Sequence, residues 1–340
     1  MNIAIFEIYP KKKTVQGMID AHLRNSLVLR DCLDADLLLS DEHYHKARAK
    51  KWDAFILSYA SFYSPFKSIY KLLEENPGAT RFFIANEYQL NLIAGYKPHY
   101  ILTNFERSHL KYLIGSKQFN LNLLLARGAN IFNEEIKQFD CVYYGTFRPD
   151  RSKYFTEYLQ APIYLSTSIK NMKKFKHIGC NPIYLNKFDW TRGSETLNRF
   201  KYSLYIEDEY THAVYNFLAN RYYEAMFCNT VMFFDINCKN TINKSEIAYH
   251  FDPFYLVSNH AELIDKINAC NQNFEKHLAT QKQWNMNQQL LRRQEIEKIR
   301  NYILSHVGKN EKSEEPTETS DRLEQGQFYA QSPLQRHINS

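Results

Sequence analysis

The stretch that decides the fold is CVYYGTFRPDRSKYF, residues 141–155. Its apolar beginning predicts a buried strand that ends at Gly145. Pro149 then suits the first turn of a helix, because a residue in that turn needs no backbone N–H partner. A strand that turns directly into a helix is the repeating unit of a parallel sheet covered by helices.

The same alternation of short apolar runs and amphipathic segments extends in both directions. Strands are predicted at 3–8, 35–39, 54–59, 82–85, 100–103 and 123–126, and in a second series at 141–145, 163–166, 203–206, 231–235 and 255–258. Helices are predicted at 67–75, 151–159, 214–227 and 261–271. The pattern predicts an α/β protein with two Rossmann-like, doubly wound domains that face a central cleft.

A length of 340 residues also favours two cores over one. We expect an N-terminal domain at 1–135, a second domain at 140–272 and a long charged helix or helix pair at 273–307. Residues 308–340 are polar and net acidic, so we expect a disordered tail there.

Composition narrows the class of protein. The six cysteines show no metal-site or redox spacing, and they read as buried thiols in a reducing compartment. No long apolar window predicts a membrane span, and the first residues read as a strand and not as a signal peptide, so we expect a cytoplasmic protein. The net charge of +6 favours a polyanionic partner such as DNA, with solubility alone as the alternative.

Polar residues that directly follow the predicted strand at 141–145 suit a diphosphate. Thr146 offers a hydroxyl, Arg148 and Arg151 offer guanidiniums, and the helix start offers backbone amides. The alternative is a pair of ordinary surface arginines.

A second stretch, FLANRYYEAMFCNTVMFFD at 217–235, places Arg221 and Glu224 on one face of a helix. A carboxylate can accept both hydroxyls of a ribose, and the arginine can reach the diphosphate. The alternative is an intrahelical ion pair.

These two motifs, followed by YLVSNHAELIDKIN at 255–268, resemble the DNA β-glucosyltransferase family of T-even bacteriophages in order and spacing. The similarity is good from 141 to 268 and weaker before it, and one residue fewer separates the two arginines of the first motif. The resemblance implies a GT-B fold and transfer of glucose, or a pentose such as arabinose, from a UDP-sugar to a hydroxymethylated pyrimidine in double-stranded DNA, with modified cytosine the expected base. It also implies that the motif arginines bind the diphosphate and that Glu224 binds the ribose.

The resemblance places the catalytic base at a strand end in the N-terminal half, where the family has an aspartate. The matching position here is Asn86, which cannot take a proton, and Glu87 follows it. We therefore expect Glu87 to be the base, with an ordinary loop acid as the alternative. Asp20 is the acid expected beside the sugar.

Aromatic and basic residues follow two other strands of the N-terminal half. Ser61, Phe62 and Tyr63 could contact or wedge into DNA, and Lys12 and Lys13 could contact phosphates. The alternatives are core aromatics and a solvated basic loop.

No metal site and no tightly bound cofactor are predicted. Glu207, Asp208 and Glu209 could attract a divalent cation or form a solvated turn. We expect a monomer. A glycosyltransferase with a glycan or protein acceptor, and a non-catalytic nucleic-acid-binding protein, remain the alternative functions.

Overall fold

The computed structural model describes residues 1–7, 16–38, 41–58, 67–85, 97–103, 116–121, 124, 136–188, 195–207, 218–245, 247–248 and 251–309. One compact unit runs from Met1 to Asn310, and residues 311–340 lie outside the described part of the chain.

The first half of this unit contains a sheet of six parallel strands. They are β1 (Ile3–Phe6), β2 (Asp36–Leu38), β3 (Ala54–Ser58), β4 (Thr80–Ala85), β5 (Tyr100–Thr103) and β6 (Ser116–Gln118). Their order in the sheet is β2-β1-β3-β4-β5-β6. The order reverses between β1 and β3, so the carboxyl ends of these two strands flank a crevice.

The second half contains another sheet of six parallel strands. They are β7 (Phe139–Tyr144), β8 (Gln160–Thr167), β9 (Asn181–Asn186), β10 (Phe200–Tyr205), β11 (Val231–Asp235) and β12 (Leu256–Val257). Their order is β12-β11-β10-β7-β8-β9, so the reversal lies between β7 and β10. This is the strand order of dinucleotide-binding Rossmann domains.

Helices connect the strands. They are α1 (Gln16–Leu33), α2 (Asp41–Ala47), α3 (Lys67–Glu75), α4 (Ser152–Tyr158), α5 (Ile169–His177), α6 (Glu195–Asn198), α7 (Asn220–Phe227), α8 (Lys239–Lys244), α9 (His260–Gln272) and α10 (Phe274–His306). Short 3-10 turns at Pro149–Arg151 and Ile236–Cys238 lead into α4 and α8, and a third at Pro253–Tyr255 precedes β12.

The predicted α/β architecture with two parallel sheets is confirmed, and two edge strands are the main differences. The sixth strand is the polar β6, whereas Leu124 within the predicted strand 123–126 lies in a helical turn. The edge strand β9 was not predicted. An edge strand is covered less completely than a central one, so it can carry polar residues and lacks the apolar run that marks a central strand.

The predicted helix 214–227 is shorter in the structure. α7 begins at Asn220, Leu218 and Ala219 precede it in non-helical conformation, and residues 214–217 lie outside the described residues. The charged segment after residue 273 is a single helix, α10, of 33 residues.

Helix α10 contacts the cores of both sheets. Trp284 packs in the core of the second sheet, and Ile299 and Ile303 pack in the core beside β1, β3 and β5. Arg300 Nε also donates to the carbonyl of Cys32 at the end of α1, at 3.0 Å. The helix therefore ties the two sheets together through apolar contacts at each end.

The cysteines form no disulfide, and five of the six are buried. Burial raises the pKa of Cys180 and Cys270 to about 11, so these thiols stay protonated at neutral pH. Among the described residues, no helix has both the length and the apolarity needed to span a bilayer.

Replacing Ile303 by Ala should lower the free energy of unfolding by about 2–5 kcal/mol, because it leaves a cavity between α10 and the first sheet. Leu290→Ala on the same helix is the matched control, since Leu290 is exposed and should change stability little. Urea denaturation of the two variants measures both effects. If Ile303→Ala lowers the free energy of unfolding as little as Leu290→Ala does, the end of α10 is not part of this core.

Candidate functional site

The candidate site lies at the carboxyl edge of the second sheet, where the strand order reverses. The turn after β7 and the residues after β10 lie side by side there, because β7 and β10 are hydrogen-bonded neighbours. In open parallel sheets, ligands bind at such a reversal.

The turn after β7 is pinned to the neighbouring strand β8. Gly145 N donates to the carbonyl of Ser166 at 3.2 Å, and Thr167 Oγ1 donates to the carbonyl of Gly145 at 2.8 Å. A Cβ at residue 145 would lie 3.3 Å from the hydroxyl of Tyr143, so a larger side chain would crowd the turn. Thr146 is exposed at this edge.

The two residues after Thr146 differ in their environment: Phe147 packs on the core, and Arg148 faces solvent. The ring of Phe147 packs against Phe175 at 5.2 Å between centroids, which fixes the turn on the core. Arg148 is exposed and forms no hydrogen bond or ion pair through its side chain with the residues that the structure describes. It immediately precedes Pro149 and the helical turn, so a free guanidinium stands beside a helix N-terminus.

Glu207, which follows β10, is buried between two guanidiniums. Its Oε2 lies 2.5 Å from Arg151 Nη2, and its Oε1 lies 3.4 Å from Arg221 Nη2. The side chains of Arg151, Arg221 and Glu207 are 7%, 15% and 2% exposed, respectively. We call these three residues the buried charge trio. Burying the two guanidiniums would be costly without this carboxylate beside them.

Arg221 has further contacts that fix its orientation. Its Nη1 donates to the hydroxyl of Tyr143 at 3.2 Å and to the carbonyl of Ile206 at 2.8 Å, and its guanidinium lies over the ring of Tyr205. Burial by itself lowers the pKa of Arg221, but Tyr143 and Glu207 raise it by more, so the pKa lies above its ordinary value. The side chain is therefore a fixed positive charge.

Helix α7 carries Arg221 and, three residues later, Glu224. The helix is held to the sheet because Tyr144 Oη donates to the carbonyl of Arg221 at 2.7 Å. Glu224 is 6% exposed. The carboxylate and the Arg221 guanidinium thus belong to one short helix that is anchored on β7.

A second polar cluster fixes the other end of α4. Tyr158 Oη lies 2.7 Å from both Asp235 Oδ2 and the carbonyl of Val257. Burial and the hydrogen bond to Asp235 hold the pKa of Tyr158 well above its ordinary value, so the phenol keeps its proton. The cluster ties the helix that follows Arg151 to β11 and β12.

The structure brings two of the five donor residues that the sequence suggested, Arg151 and Arg221, onto one carboxylate. Arg151 and Arg221 share Glu207, while Thr146 and Arg148 lie on the exposed turn that leads to Arg151. Glu224 follows on α7.

Glu207 was missed as part of this site. The sequence interpretation of residues 207–209 as a solvated turn is wrong for Glu207, which is buried, while 208 and 209 lie outside the described residues. Its position directly after an apolar strand was the available signal. Within the described part of the chain, no group of three or more His, Cys, Asp or Glu side chains is placed to hold a metal ion.

The acceptor-side predictions remain predictions. Asp20 lies in α1, but its side chain is outside the described part of the structure. Seven other predicted residues lie wholly outside the described residues: Lys12, Lys13, Ser61, Phe62, Tyr63, Asn86 and Glu87. At the corresponding edge of the first sheet, the buried carboxylate of Glu7 follows β1 and accepts a hydrogen bond from Ser26 Oγ at 2.7 Å.

Two doubly wound parallel sheets joined by a long C-terminal helix define the GT-B glycosyltransferase fold. The fold is similar to that of T4 phage β-glucosyltransferase, solved in complex with UDP and Mn²⁺, with a TM-score of 0.64 and 15% sequence identity over 89% of this chain and 99% of that one. No protein-family model matches the chain, and a search of curated proteins found no match.

Two further solved structures share the fold. An α-glucosyltransferase in complex with UDP and a 13-mer DNA containing a HMU base matches with a TM-score of 0.55 and 12% identity, covering 85% of this chain and 95% of that one. The Anabaena protein HepE, in complex with UDP and glucose, matches with a TM-score of 0.51 and 10% identity, covering 90% and 99%. At these identities the likeness establishes the fold.

The two arginines of the 146–151 turn should behave differently on replacement. Arg151→Ala should lower the free energy of unfolding by about 3 kcal/mol, because it removes a partner from the buried carboxylate of Glu207. Arg148→Ala should leave stability almost unchanged and weaken UDP binding, because Arg148 is exposed. Denaturant unfolding and titration calorimetry with UDP separate these effects. Similar stability losses in both variants would contradict the burial of the trio.

Proposed function

We propose that this protein is a glycosyltransferase that binds a UDP-sugar at the edge of its second sheet and transfers the sugar to DNA. The observation that carries the proposal is the grouping of three arginines at the reversal between β7 and β10. Such a reversal is where open parallel sheets bind nucleotides.

The donor is proposed to bind the second domain, residues 140–272. Arg148 and Arg221 supply guanidinium donors to the two phosphates, and the turn before α4 supplies Thr146 and the helix start. Arg151 supports this arrangement through Glu207. The carboxylate of Glu224, one helical turn from Arg221, is the proposed acceptor of the ribose hydroxyls.

The fold neighbours support a uridine nucleotide as the ligand, since the T4 phage enzyme, the α-glucosyltransferase and HepE are all described in complex with UDP. A divalent cation is a possible companion of the diphosphate, because one of these complexes contains Mn²⁺. UDP-glucose and a UDP-pentose such as UDP-arabinose carry the same diphosphate, so the proposed donor residues suit either of them.

The acceptor is proposed to be a 5-hydroxymethylated pyrimidine in double-stranded DNA, bound by the N-terminal domain, residues 1–135. Two observations support DNA: the net charge of +6, and a fold neighbour described with DNA that contains a HMU base. Lys12 and Lys13 would contact phosphates, and Ser61, Phe62 and Tyr63 would contact the base. HepE shares the fold, so the fold by itself leaves glycan and protein acceptors as alternatives.

The proposed reaction needs one proton transfer and one displacement. A carboxylate, assigned to Glu87 with Asp20 beside the sugar, takes the proton of the acceptor hydroxyl as its oxygen bonds to the anomeric carbon. The bond from that carbon to the diphosphate oxygen breaks, and UDP leaves with the electron pair. The guanidiniums of Arg148 and Arg221 stabilise the charge that develops on the leaving group. The products are glycosylated DNA and UDP, in the cytoplasm of the cell that contains the DNA.

UDP release tests this function directly. Incubation with UDP-glucose, or with UDP-arabinose, should release UDP when duplex DNA contains 5-hydroxymethylcytosine and should not do so with the same duplex made with cytosine. Tight DNA binding without UDP release would favour a non-catalytic nucleic-acid-binding protein. UDP binding without any release on either DNA would favour a glycan or protein acceptor.

Glu87→Gln should lower turnover by roughly 100- to 10,000-fold, the usual contribution of a general base. Its affinity for UDP should be unchanged, because the change lies in the acceptor domain. Asp20→Asn is the comparison variant. If Glu87→Gln turns over normally and Asp20→Asn does not, the base is Asp20; a loss of UDP affinity in Glu87→Gln would place that strand end in the donor site.

A further inference from the structure

The buried charge trio puts a negative charge inside a site that is proposed to bind an anion. Glu207 is 2% exposed, and its two oxygens face the guanidiniums of Arg151 and Arg221. A buried carboxylate repels a nearby diphosphate more strongly than an exposed one, because water screens it less. This carboxylate therefore opposes the ligand that the arginines attract.

Glu207 holds the two arginines to different degrees. The contact with Arg151 is a close ion pair of 2.5 Å, whereas Oε1 lies 3.4 Å from Arg221 and has no hydrogen-bond partner among the described residues. Arg221 is oriented instead by Tyr143 and Ile206, through its Nη1. Glu207 therefore acts on Arg221 through its charge, whereas the contacts with Tyr143 and Ile206 determine the position of Arg221.

Arg221 keeps donors for a ligand. Both hydrogens of its Nη1 point to the Tyr143 hydroxyl and the Ile206 carbonyl, and the ion pair with Glu207 through Nη2 is formed without a hydrogen bond. Its side chain is also twice as exposed as that of Arg151, at 15% against 7%. A phosphate that approaches Arg221 therefore meets a guanidinium whose attraction is partly offset by Glu207.

We propose that Glu207 tunes the charge of the donor site so that the free nucleoside diphosphate product is released. This role rests on the proposed function. A UDP-sugar carries its diphosphate as an ester at both ends, whereas free UDP has a terminal phosphate that loses a second proton near neutral pH. UDP thus carries more negative charge than the donor, and the repulsion by Glu207 weakens UDP binding more than donor binding.

The test compares the affinities of UDP and UDP-glucose in Glu207→Gln by titration calorimetry. Glutamine keeps the shape and can still accept a hydrogen bond from Arg151, while the negative charge is lost. UDP binding should tighten by at least tenfold, the factor expected for two unit charges about 12 Å apart at an effective dielectric constant of about 20. UDP-glucose binding should tighten by a smaller factor. Glu207→Asp keeps the charge, so the ratio of the two affinities should remain within about twofold of that of the unaltered protein.

Glu74→Gln is the control for the loss of one negative charge at a distance, since Glu74 is exposed on α3 beside the first sheet. It should change neither affinity. If Glu207→Gln is less stable without ligand, the rise in Tm caused by UDP still reports the effect: it should exceed the rise in the unaltered protein, because UDP then supplies the missing counter-charge.

Weaker UDP binding in Glu207→Gln would overturn the role and show that the carboxylate positions the arginines. Equal changes for UDP and UDP-glucose, or no change, would also overturn it. Failure of the unaltered protein to bind either nucleotide is a different result, which removes the donor site itself and the proposed function with it.

Discussion

Two guanidiniums and one carboxylate are buried together where the strand order of the second sheet reverses. Charged groups are stable in such a place only when opposite charges lie within a few ångströms, so β7, β10 and α7 must meet in one register to keep Arg151, Glu207 and Arg221 together. The pairing of β10 with β7 and the bond from Tyr144 to the backbone of α7 fix this register. The geometry of the candidate donor site follows from it.

The rest of the second sheet supports this arrangement through aromatic packing. Phe147, Phe155 and Phe175 form a tight group beneath the turn after β7, with ring centroids 4.9–6.0 Å apart. At the far end of α4, the hydroxyl of Tyr158 donates a hydrogen bond to Asp235. An exposed arginine at the tip of a turn can be well positioned when the residues on both sides of it are held in this way.

Helix α10 gives the two sheets a common support. Its first half packs on the second core through Trp284, and its second half packs on the first core through Ile299 and Ile303. Between these ends, Glu295 accepts a hydrogen bond from the backbone of Asn120, whose side-chain amide donates to the hydroxyl of Tyr223 on α7. The helix that carries Arg221 is thereby connected to the first half of the chain.

The sequence by itself determined the alternation of strands and helices, the parallel character of both sheets and the helical character of the segment after residue 273, but not that this segment is a single helix. Apolar runs such as those of β3, β5 and β11 are buried on both faces of a sheet, so their pattern is visible in one dimension. The edge strands β6 and β9 escaped prediction because an edge position relaxes that pattern. The motif residues Arg148, Arg151, Arg221 and Glu224 were also visible in the sequence, since local spacing brings each pair onto one turn or one helix.

Only the tertiary structure decided which of these arginines is exposed and which is buried. Arg148 and Arg151 are three residues apart and look equivalent in the sequence, yet one is exposed at the turn and the other is paired with Glu207. Glu207 lies more than fifty residues away along the chain, and it reaches Arg151 only because β10 pairs with β7. A contact between distant strands leaves no periodic trace in the sequence, because it depends on the strand order of the sheet and not on the spacing of residues along the chain.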